Sequence, residues 1–137
     1  MNGENLQRAI YDKLIGNATL MGLIDGVYAD VQQVLDSGSD IPFPYVTIGS
    51  DSLATWDSKT FFGTDALCQI DVWSRANNFL EAKEIGSAIT DVLHQQPLTI
   101  QDADHTMTVQ QSSVYSKDPD GHTKRGMFMF RVLFTRD

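Results

Sequence analysis

One stretch, Phe61 to Leu93, constrains the fold more than any other part of the chain, because its hydrophobic period changes from two to about 3.6. Apolar residues recur at three- and four-residue spacings from Leu80 to Leu93, which is the stripe of an amphipathic helix. The sequence therefore predicts a strand followed by a helix that packs back onto the same sheet. In the strand half, two sets of side chains alternate: Ala66, Cys68, Ile70 and Val72 against Leu67, Gln69, Asp71 and Trp73.

Both ends of this helix carry sequence signals. Asn78 is a favourable N-cap residue, and Glu81 stands three positions later, as in a capping box. Pro97 follows the apolar stripe, and a helix rarely continues through a proline. We therefore expect the helix to begin after Asn78 and to end before Pro97.

The sequence before this strand predicts helices followed by a loop. Leu6 to Leu14 carries a helical stripe that Gly16 and Asn17 end. A short helical turn is predicted at Thr19 to Ile24, and a short strand at Val27 to Ala29. The sequence DSGSDIPFP, from Asp36 to Pro44, concentrates turn residues and predicts a loop.

A long hairpin arm is predicted next. Tyr45 to Ile48 is rich in β-forming residues, which Gly49 and Ser50 weaken. Asp51 to Lys59 is mostly polar, so Asp57 and Lys59 are interpreted as solvated. Phe61 and Phe62 lie near the predicted tip. Either one ring packs back on the sheet, or the two rings bind a partner, since aromatic residues dominate interface hot spots.

Two further strands complete the predicted sheet. Thr106 to Tyr115 alternates until the pattern slips before Val114, which indicates a bulge. A turn at Lys117 to Gly126 leads into Met127 to Thr135, whose two faces are both mostly apolar. We expect its second face to be covered by a neighbouring subunit. The two faces are Phe128, Phe130, Val132 and Phe134, and Met127, Met129, Arg131 and Leu133.

The predicted fold class is α+β. An antiparallel β-sheet carries an N-terminal helix and one main amphipathic helix on one face, together with the long β-hairpin arm. A length of 137 residues predicts a single domain, 1–137, with its own core. A net charge of −8 disfavours a protein that grips phosphate backbones, but it allows one that DNA passes by.

Three further features of the sequence indicate the compartment in which the protein is found. No apolar run reaches the length of about 18 residues that a membrane span needs. The polar and acidic N-terminal residues do not resemble a signal peptide, so export is not expected. Cys68 is the one cysteine, and it is expected to behave as a small buried hydrophobe in a reducing compartment.

No set of residues predicts catalysis, a metal or a cofactor. The three histidines lie in different segments without metal-ligand spacing. His105 neighbours Asp102 and Asp104, which we interpret as a solvated loop rather than a metal site. The phosphate-binding, dinucleotide-binding and nucleophile-elbow motifs do not occur. The sequence therefore predicts that the protein is not an enzyme and has no cofactor.

In their order and spacing, these elements resemble the small tail-completion proteins of long-tailed bacteriophages and prophages, the tail terminators. The opening LQRAIYDKLIGNATLMGLIDGVYADV and the loop IPFPYVTIG carry the first part of the resemblance. Trp56, Asp57, Lys59 and Thr60, followed by IDVWSR and a helix, carry the middle. The polar turn with Asp118, Asp120 and Gly121 and the aromatic terminal strand match more weakly.

The resemblance implies a structural role in the virion, with no catalytic residue. Such proteins form a homo-oligomeric ring, typically a hexamer, at the head-proximal end of the tail tube. They stop tube growth and join the tail tube protein to the neck or connector protein, and DNA passes through the lumen without sequence-specific binding. Assembly in the host cytoplasm and no contact with a membrane are also implied.

We hypothesise that the arm and the terminal strand make the subunit and partner contacts, because a closed ring needs two different surfaces on each subunit. Two alternatives stay open. One is a neck adaptor or stopper on the connector side, and the other is a small cellular ligand-binding α+β domain with a closed pocket. The residues of the hypothesised interface are Trp56, Lys59, Phe61, Phe62, Asp118, Asp120, Met127, Met129 and Arg131.

Overall fold

The computed structural model describes residues 3–28, 43–57, 62–119 and 121–136. Three helices and five strands make up these parts of the chain, and their order confirms the predicted α+β class. In chain order they are α1 (Gly3–Ile15), α2 (Ala18–Met21), β1 (Val27–Tyr28), β2 (Tyr45–Thr55), β3 (Gly63–Ser74), α3 (Leu80–Leu93), β4 (Ala103–Lys117) and β5 (Lys124–Arg136).

The strands form one sheet in the order β1-β2-β3-β5-β4. The two-residue strand β1 pairs with β2 in parallel, and every other pair is antiparallel. The β2–β3 and β4–β5 hairpins lie side by side, and β5 is inserted between β3 and β4. Because α3 connects β3 to β4, it crosses the sheet and covers the strand that enters between them.

The described helices pack on one face of the sheet. The predicted alternation of β3 and β5 is confirmed, since one set of side chains from each strand is buried beneath α1 and α3. Among the described helices, none is long and apolar enough to cross a membrane. The largest buried side chains of this layer are Leu6, Ile10, Leu14, Ile70, Ile85, Ile89, Phe128, Phe130 and Phe134.

The helix α3 begins after Asn78 and ends before Pro97, as predicted, but the residue at its N-cap position differs from the prediction. The helix begins at Leu80, and the N-cap position is held by Phe79 without a side-chain cap. Asn78 Oδ1 still accepts a hydrogen bond from the Leu80 N–H at 2.9 Å. The capping box is wrong because Glu81 Oε1 instead accepts a 2.6 Å hydrogen bond from the Ser74 hydroxyl. This bond ties the first turn of α3 to the end of β3.

The strand β2 continues through Gly49 and Ser50 to Thr55. A register shift between Ile48 and Asp51 absorbs the extra residue, so the two residues that weaken the strand pattern form a bulge. The predicted hairpin is therefore present and is built into the sheet, with β2 paired to β3 as far as Thr55 and Thr64. Most of the predicted loop from Asp36 to Pro44 lies outside the described residues.

The strand β4 is longer than its sequence pattern indicated. It starts at Ala103 and carries two register shifts, between His105 and Met107 and between Gln110 and Ser112. The second shift confirms the bulge predicted before Val114. The expectation of a solvated loop at His105 is wrong. Its half-buried ring lies within the strand, where Nε2 is 2.6 Å from the Thr108 hydroxyl.

The helix α3 approaches the sheet closely at Gly86. This residue is buried, and Phe128 and Tyr115 occupy the space where a side chain would stand. The Tyr115 and Phe128 rings meet edge to face with centroids 5.7 Å apart. The close approach holds α3 against both β4 and β5.

Candidate assembly surface

The sheet face opposite the helices is left without a covering layer by the described part of the chain. We call it the bare face. Apolar side chains occupy much of it, and two of them, Met107 and Val114, are 37% and 49% exposed. A sheet face with this many apolar groups is typical of an interaction surface. The apolar residues of the bare face are Leu67, Met107, Val109, Val114, Met127, Met129 and Leu133.

One charged pair interrupts this apolar surface. Arg131 of β5 donates two hydrogen bonds to Asp65 of β3, from Nε at 3.0 Å and from Nη2 at 2.7 Å. This bidentate contact holds the pKa of Asp65 below its ordinary value of 3.8 and raises the pKa of Arg131. Two guanidinium N–H groups are used in this contact and the adjacent carboxylate neutralises the charge, so Arg131 is a poor site for an added phosphate.

A second charged pair lies deeper on the same face. Asp71 is 2% exposed, and its Oδ2 accepts a 3.1 Å hydrogen bond from Nη2 of Arg125. Gln69 donates from Nε2 to the same carboxylate, and the Arg125 guanidinium stacks on the Trp73 ring at 4.8 Å. Nε of Arg125 is buried and finds no hydrogen-bond partner among the described residues. The Asp71–Arg125 pair neutralises both charges within the bare face.

A row of aromatic rings continues from this pair across the sheet. Trp73 stacks on Tyr45, with centroids 6.2 Å apart, and Tyr45 meets Tyr28 edge to face at 5.9 Å. The Arg75 guanidinium lies 4.3 Å from the centre of the Phe43 ring. Burial raises the pKa of Tyr45 above 10.0. The row spans β1, β2 and β3, and it stiffens the end of the sheet where the short strand β1 is added.

The opposite end of the sheet holds the tip of the β2–β3 hairpin. Trp56 is half-buried, and its Nε1 donates a 3.3 Å hydrogen bond to the Phe134 carbonyl. Asp57 is exposed, as expected, and it also accepts a 2.9 Å hydrogen bond from the Gly63 N–H. The Phe62 side chain is 62% exposed. Lys59 and Phe61 lie outside the described residues.

The β4–β5 turn forms the other predicted contact region. The Asp118 N–H donates to the Thr123 carbonyl at 2.8 Å, and the Gly121 N–H donates to the Asp118 carbonyl at 3.0 Å. Gly121 has a φ of 77°, which explains why glycine follows Asp120 in this turn. Asp118 is half-buried, and Asp120 itself lies outside the described residues.

The structure brings the hypothesised interface residues into three separate places rather than one. Met127, Met129 and Arg131 share the bare face, as the alternation of the terminal strand indicated. Trp56 and Phe62 lie at the hairpin tip, and Asp118 lies at the far end of the sheet. Sequence reasoning missed Leu67, Asp65, Met107 and Val114 as members of the bare face. The alternation of β3 was the available signal for the first two.

The described residues contain no catalytic arrangement that we can identify. No group of three or more His, Cys, Asp or Glu side chains in the described segments could hold a metal ion. The thiol of Cys68 is buried against the core, as expected. One open groove, between the C-terminal ends of α1 and α3, is lined by mixed polar groups including Asp12, Lys13 and Asp91. These groups do not form a nucleophile, base and acid set.

Comparison with known proteins gives the family. The family described as "Tail completion protein gp17" matches residues 8–135. The tail completion protein gp17 of Bacillus phage SPP1 is 30% identical over 131 residues, which cover 95% of this chain and 90% of that protein. The solved structure of bacteriophage SPP1 gp17 covers 98% of this chain and 90% of its own, with a TM-score of 0.57 and 28% identity.

A second solved structure shows the same fold. A chain from the virion of a native gene transfer agent particle superposes with a TM-score of 0.81 at 23% identity, and covers 95% of this chain and 94% of its own. At this identity the likeness concerns the fold alone. The family match spans nearly all of the chain, and it includes α1 from Arg8 onward, α3 and the whole sheet apart from the final residue of β5. The chain therefore belongs to the tail completion protein gp17 family of phage proteins.

Proposed function

We propose that the protein is a structural component of a phage tail that forms a ring at the head-proximal end of the tail tube. There it ends tube growth and joins the tail tube protein to the neck. Membership in the tail completion family supports the tail role. A virion-derived chain with the same fold supports a place in an assembled particle.

The observation that carries the assembly proposal is the bare face. A monomer rarely leaves a broad apolar sheet face to solvent, and here Leu67, Met127, Met129 and Leu133 are covered only in part. Ring closure would bury this type of surface against neighbouring subunits or against the tube. A ligand-binding domain would instead concentrate its polar groups in a closed pocket, whereas the described groove is open and lies on the helix side.

The charge arrangement supports passage of DNA without retention. Protein–DNA affinity depends on basic groups that neutralise phosphates. The two arginines of the bare face, Arg125 and Arg131, are each paired with an aspartate of β3. With a net charge of −8, the subunit offers little that would hold a polyanion. DNA would therefore pass through the lumen without sequence-specific binding.

The test uses tail tubes assembled from the tube protein of the same phage. Added protein is expected to bind one end of each tube and to stop further elongation, measured by negative-stain imaging of tube lengths. Light scattering across a concentration series measures the mass of any ring that forms in solution. Failure to bind tube ends, together with a monomer at every concentration, would overturn the proposal.

A matched pair of variants tests the hairpin tip. Phe62→Asp places a charge on a side chain that is 62% exposed, so folding should change by less than about 0.5 kcal/mol. Binding to tube ends should fall, because an aromatic contact would be replaced by a carboxylate. Leu80→Asp is the control, since Leu80 is also 62% exposed but lies on the helix side. Equal binding by the two variants would remove Phe62 from the interface.

A further inference from the structure

We propose that neighbouring copies of this chain join by antiparallel pairing of the outer edge of β2 in one copy with the outer edge of β4 in the next. The inference rests on the proposed ring, and it names the backbone edges that close it. The sheet order leaves β2 and β4 as the two long strands that each have one side without a full-length partner. An edge of this kind is a ready template for another strand.

The direction of each β2 backbone group follows from its hydrogen bonds. The Val46 N–H points outward, since it donates to Gly26 beside β1, whereas the Trp56 N–H points inward and donates to Gly63. Backbone groups alternate along a strand. Counting back from Trp56 to the bulge, the outward positions are Asp51, Leu53 and Thr55. Among the described residues, no strand pairs with them on that side.

The β4 edge is divided into a covered part and an open part. The turn after α3 covers the first part: the Gln95 N–H donates to the Thr108 carbonyl at 2.7 Å, and the Gln110 N–H donates to His94 Nδ1 at 3.0 Å. Beyond the second bulge, no hydrogen bond from another described segment covers the outer edge of β4. Asp118 donates inward across the hairpin to Thr123, so the alternation places Ser113, Tyr115 and Lys117 outward.

The two open edges match in length and direction. Each presents three outward residues over a span of five. The chain runs in opposite directions in β2 and β4, because three antiparallel pairings separate them. Copies related by rotation about one axis would therefore meet with β4 antiparallel to the next β2, which continues the pattern of the sheet. A heterologous contact of this kind closes a ring.

An antiparallel register that sets Thr55 opposite Ser113 also brings compatible side chains together across the two edges. Leu53 would lie opposite Tyr115, and both are partly buried against the core on the helix side. Ser113 would lie opposite Thr55, and both are exposed. Lys117 would lie at the position of Asp51. The β4 edge gains further positive charge from Lys83, whose Nζ lies 5.6 Å from the centre of the Tyr115 ring. Cross-strand pairs of these types stabilise sheets.

The position of β5 inside the sheet limits what this strand can contribute to the contact between copies. Its backbone pairs with β3 on one side and with β4 on the other along nearly its whole length. Only its bare-face side chains, such as Met127 and Met129, are available to a partner. Strand addition therefore uses β4 and β2, and the terminal strand contributes packing.

Proline substitution tests the pairing, because proline at an outward edge position removes one donor and blocks a new strand but keeps the inner ladder. We expect Thr55→Pro and Ser113→Pro to remain folded by circular dichroism. Each should weaken ring formation at least about tenfold, measured by light scattering and by occupancy of tube ends. Thr55→Ala and Ser113→Ala keep the N–H group and should assemble normally.

Cysteine pairs detect the contact even where the complex is short-lived. Thr55→Cys and Ser113→Cys are prepared separately and mixed under oxidation, since opposed residues of an antiparallel pair fall within disulfide range. Mixed dimers should dominate over like-with-like dimers, and 4 M urea should abolish the preference. Dimers of Ser113→Cys alone would indicate β4–β4 pairing and overturn the inference.

The outcomes separate this inference from the proposed function. A ring that forms in both proline variants would overturn the edge pairing and leave the tail role intact. A wild-type chain that ignores tube ends would overturn the tail role, whereas the mixed disulfide would still report the edge contact. Mixing the two proline variants adds a third check: each keeps one intact edge, so they should form dimers with one another and nothing larger.

Discussion

Replacement of Gly86 by alanine tests how tightly α3 is set against the sheet. Glycine inside a helix ordinarily costs stability, so alanine at an open position would stabilise the protein by about 1 kcal/mol. At Gly86 an added Cβ would lie 2.7 Å from the Tyr115 hydroxyl and 2.8 Å from Cε1 of Phe128, with another ring carbon of Phe128 nearer still. Ordinary contacts between such atoms lie near 3.5 to 4.0 Å.

The expected size of the effect follows from what can move. Phe128 is 1% exposed, and its ring is fixed between Tyr115 and the backbone at Gly126. Relief therefore requires α3 to shift away from the sheet by several tenths of an ångström. Overpacking of this kind costs about 1 to 3 kcal/mol. After the gain of about 1 kcal/mol in helix propensity is subtracted, Gly86→Ala should destabilise the protein by up to about 2 kcal/mol.

Urea unfolding followed by tryptophan fluorescence measures the change in the free energy of unfolding. Trp56 and Trp73 lie in different parts of the sheet, so the signal reports on the whole of it. Ser87→Ala, on the exposed side of α3, is the control and should be neutral or slightly stabilising. Phe128→Leu shortens the opposing side chain, so Gly86→Ala should cost less in that background. If Gly86→Ala raises the free energy of unfolding by about 1 kcal/mol in the wild-type background, the close-packing argument is refuted.

Two further predictions concern charged groups. Asp71→Ala leaves Arg125 and Gln69 without their acceptor, so the free energy of unfolding should fall by about 2 to 3 kcal/mol in urea titrations; a loss below 0.5 kcal/mol would contradict this role. Burial, helped by Lys13, lowers the pKa of His105 from 6.5. The unfolded chain then binds its proton first, so stability should fall as pH drops below about 6.5. His105→Asn should flatten that decline relative to wild type, and an unchanged pH profile would argue against it.

Alternation was a reliable guide wherever one face of an element is buried. The sets that begin at Ala66 and at Phe128 point into the core because a slip of one residue would expose every apolar side chain in the strand. The bulge before Val114 was visible for the same reason, as the pattern slips where the strand gains a residue. The family resemblance used the order of these elements, and it was correct.

Other features depend on contacts between segments that are distant in sequence. Nothing near Glu81 in the chain indicates that the Ser74 hydroxyl will engage it in place of a capping box. The pairing of Asp57 with the Gly63 N–H depends on the hairpin closing. Strand order is similar: alternation shows that β3 and β5 each bury one face, but it does not show that β5 enters between β3 and β4. The bare face could therefore be predicted only in part, from the second face of the terminal strand, Met127, Met129, Arg131 and Leu133.

Because β5 is inserted between β3 and β4, the sheet can be completed only late in the folding of the chain. The cross-strand pairs Ile70–Phe128 and Cys68–Phe130 cannot form until β5 has been synthesised. Before that moment the β2–β3 hairpin and β4 have no connection through the sheet. Contacts this distant in sequence form slowly, because much chain entropy is lost before they form. A growing chain on the ribosome would thus lack the completed sheet, and only subunits whose β5 has docked would be competent for assembly.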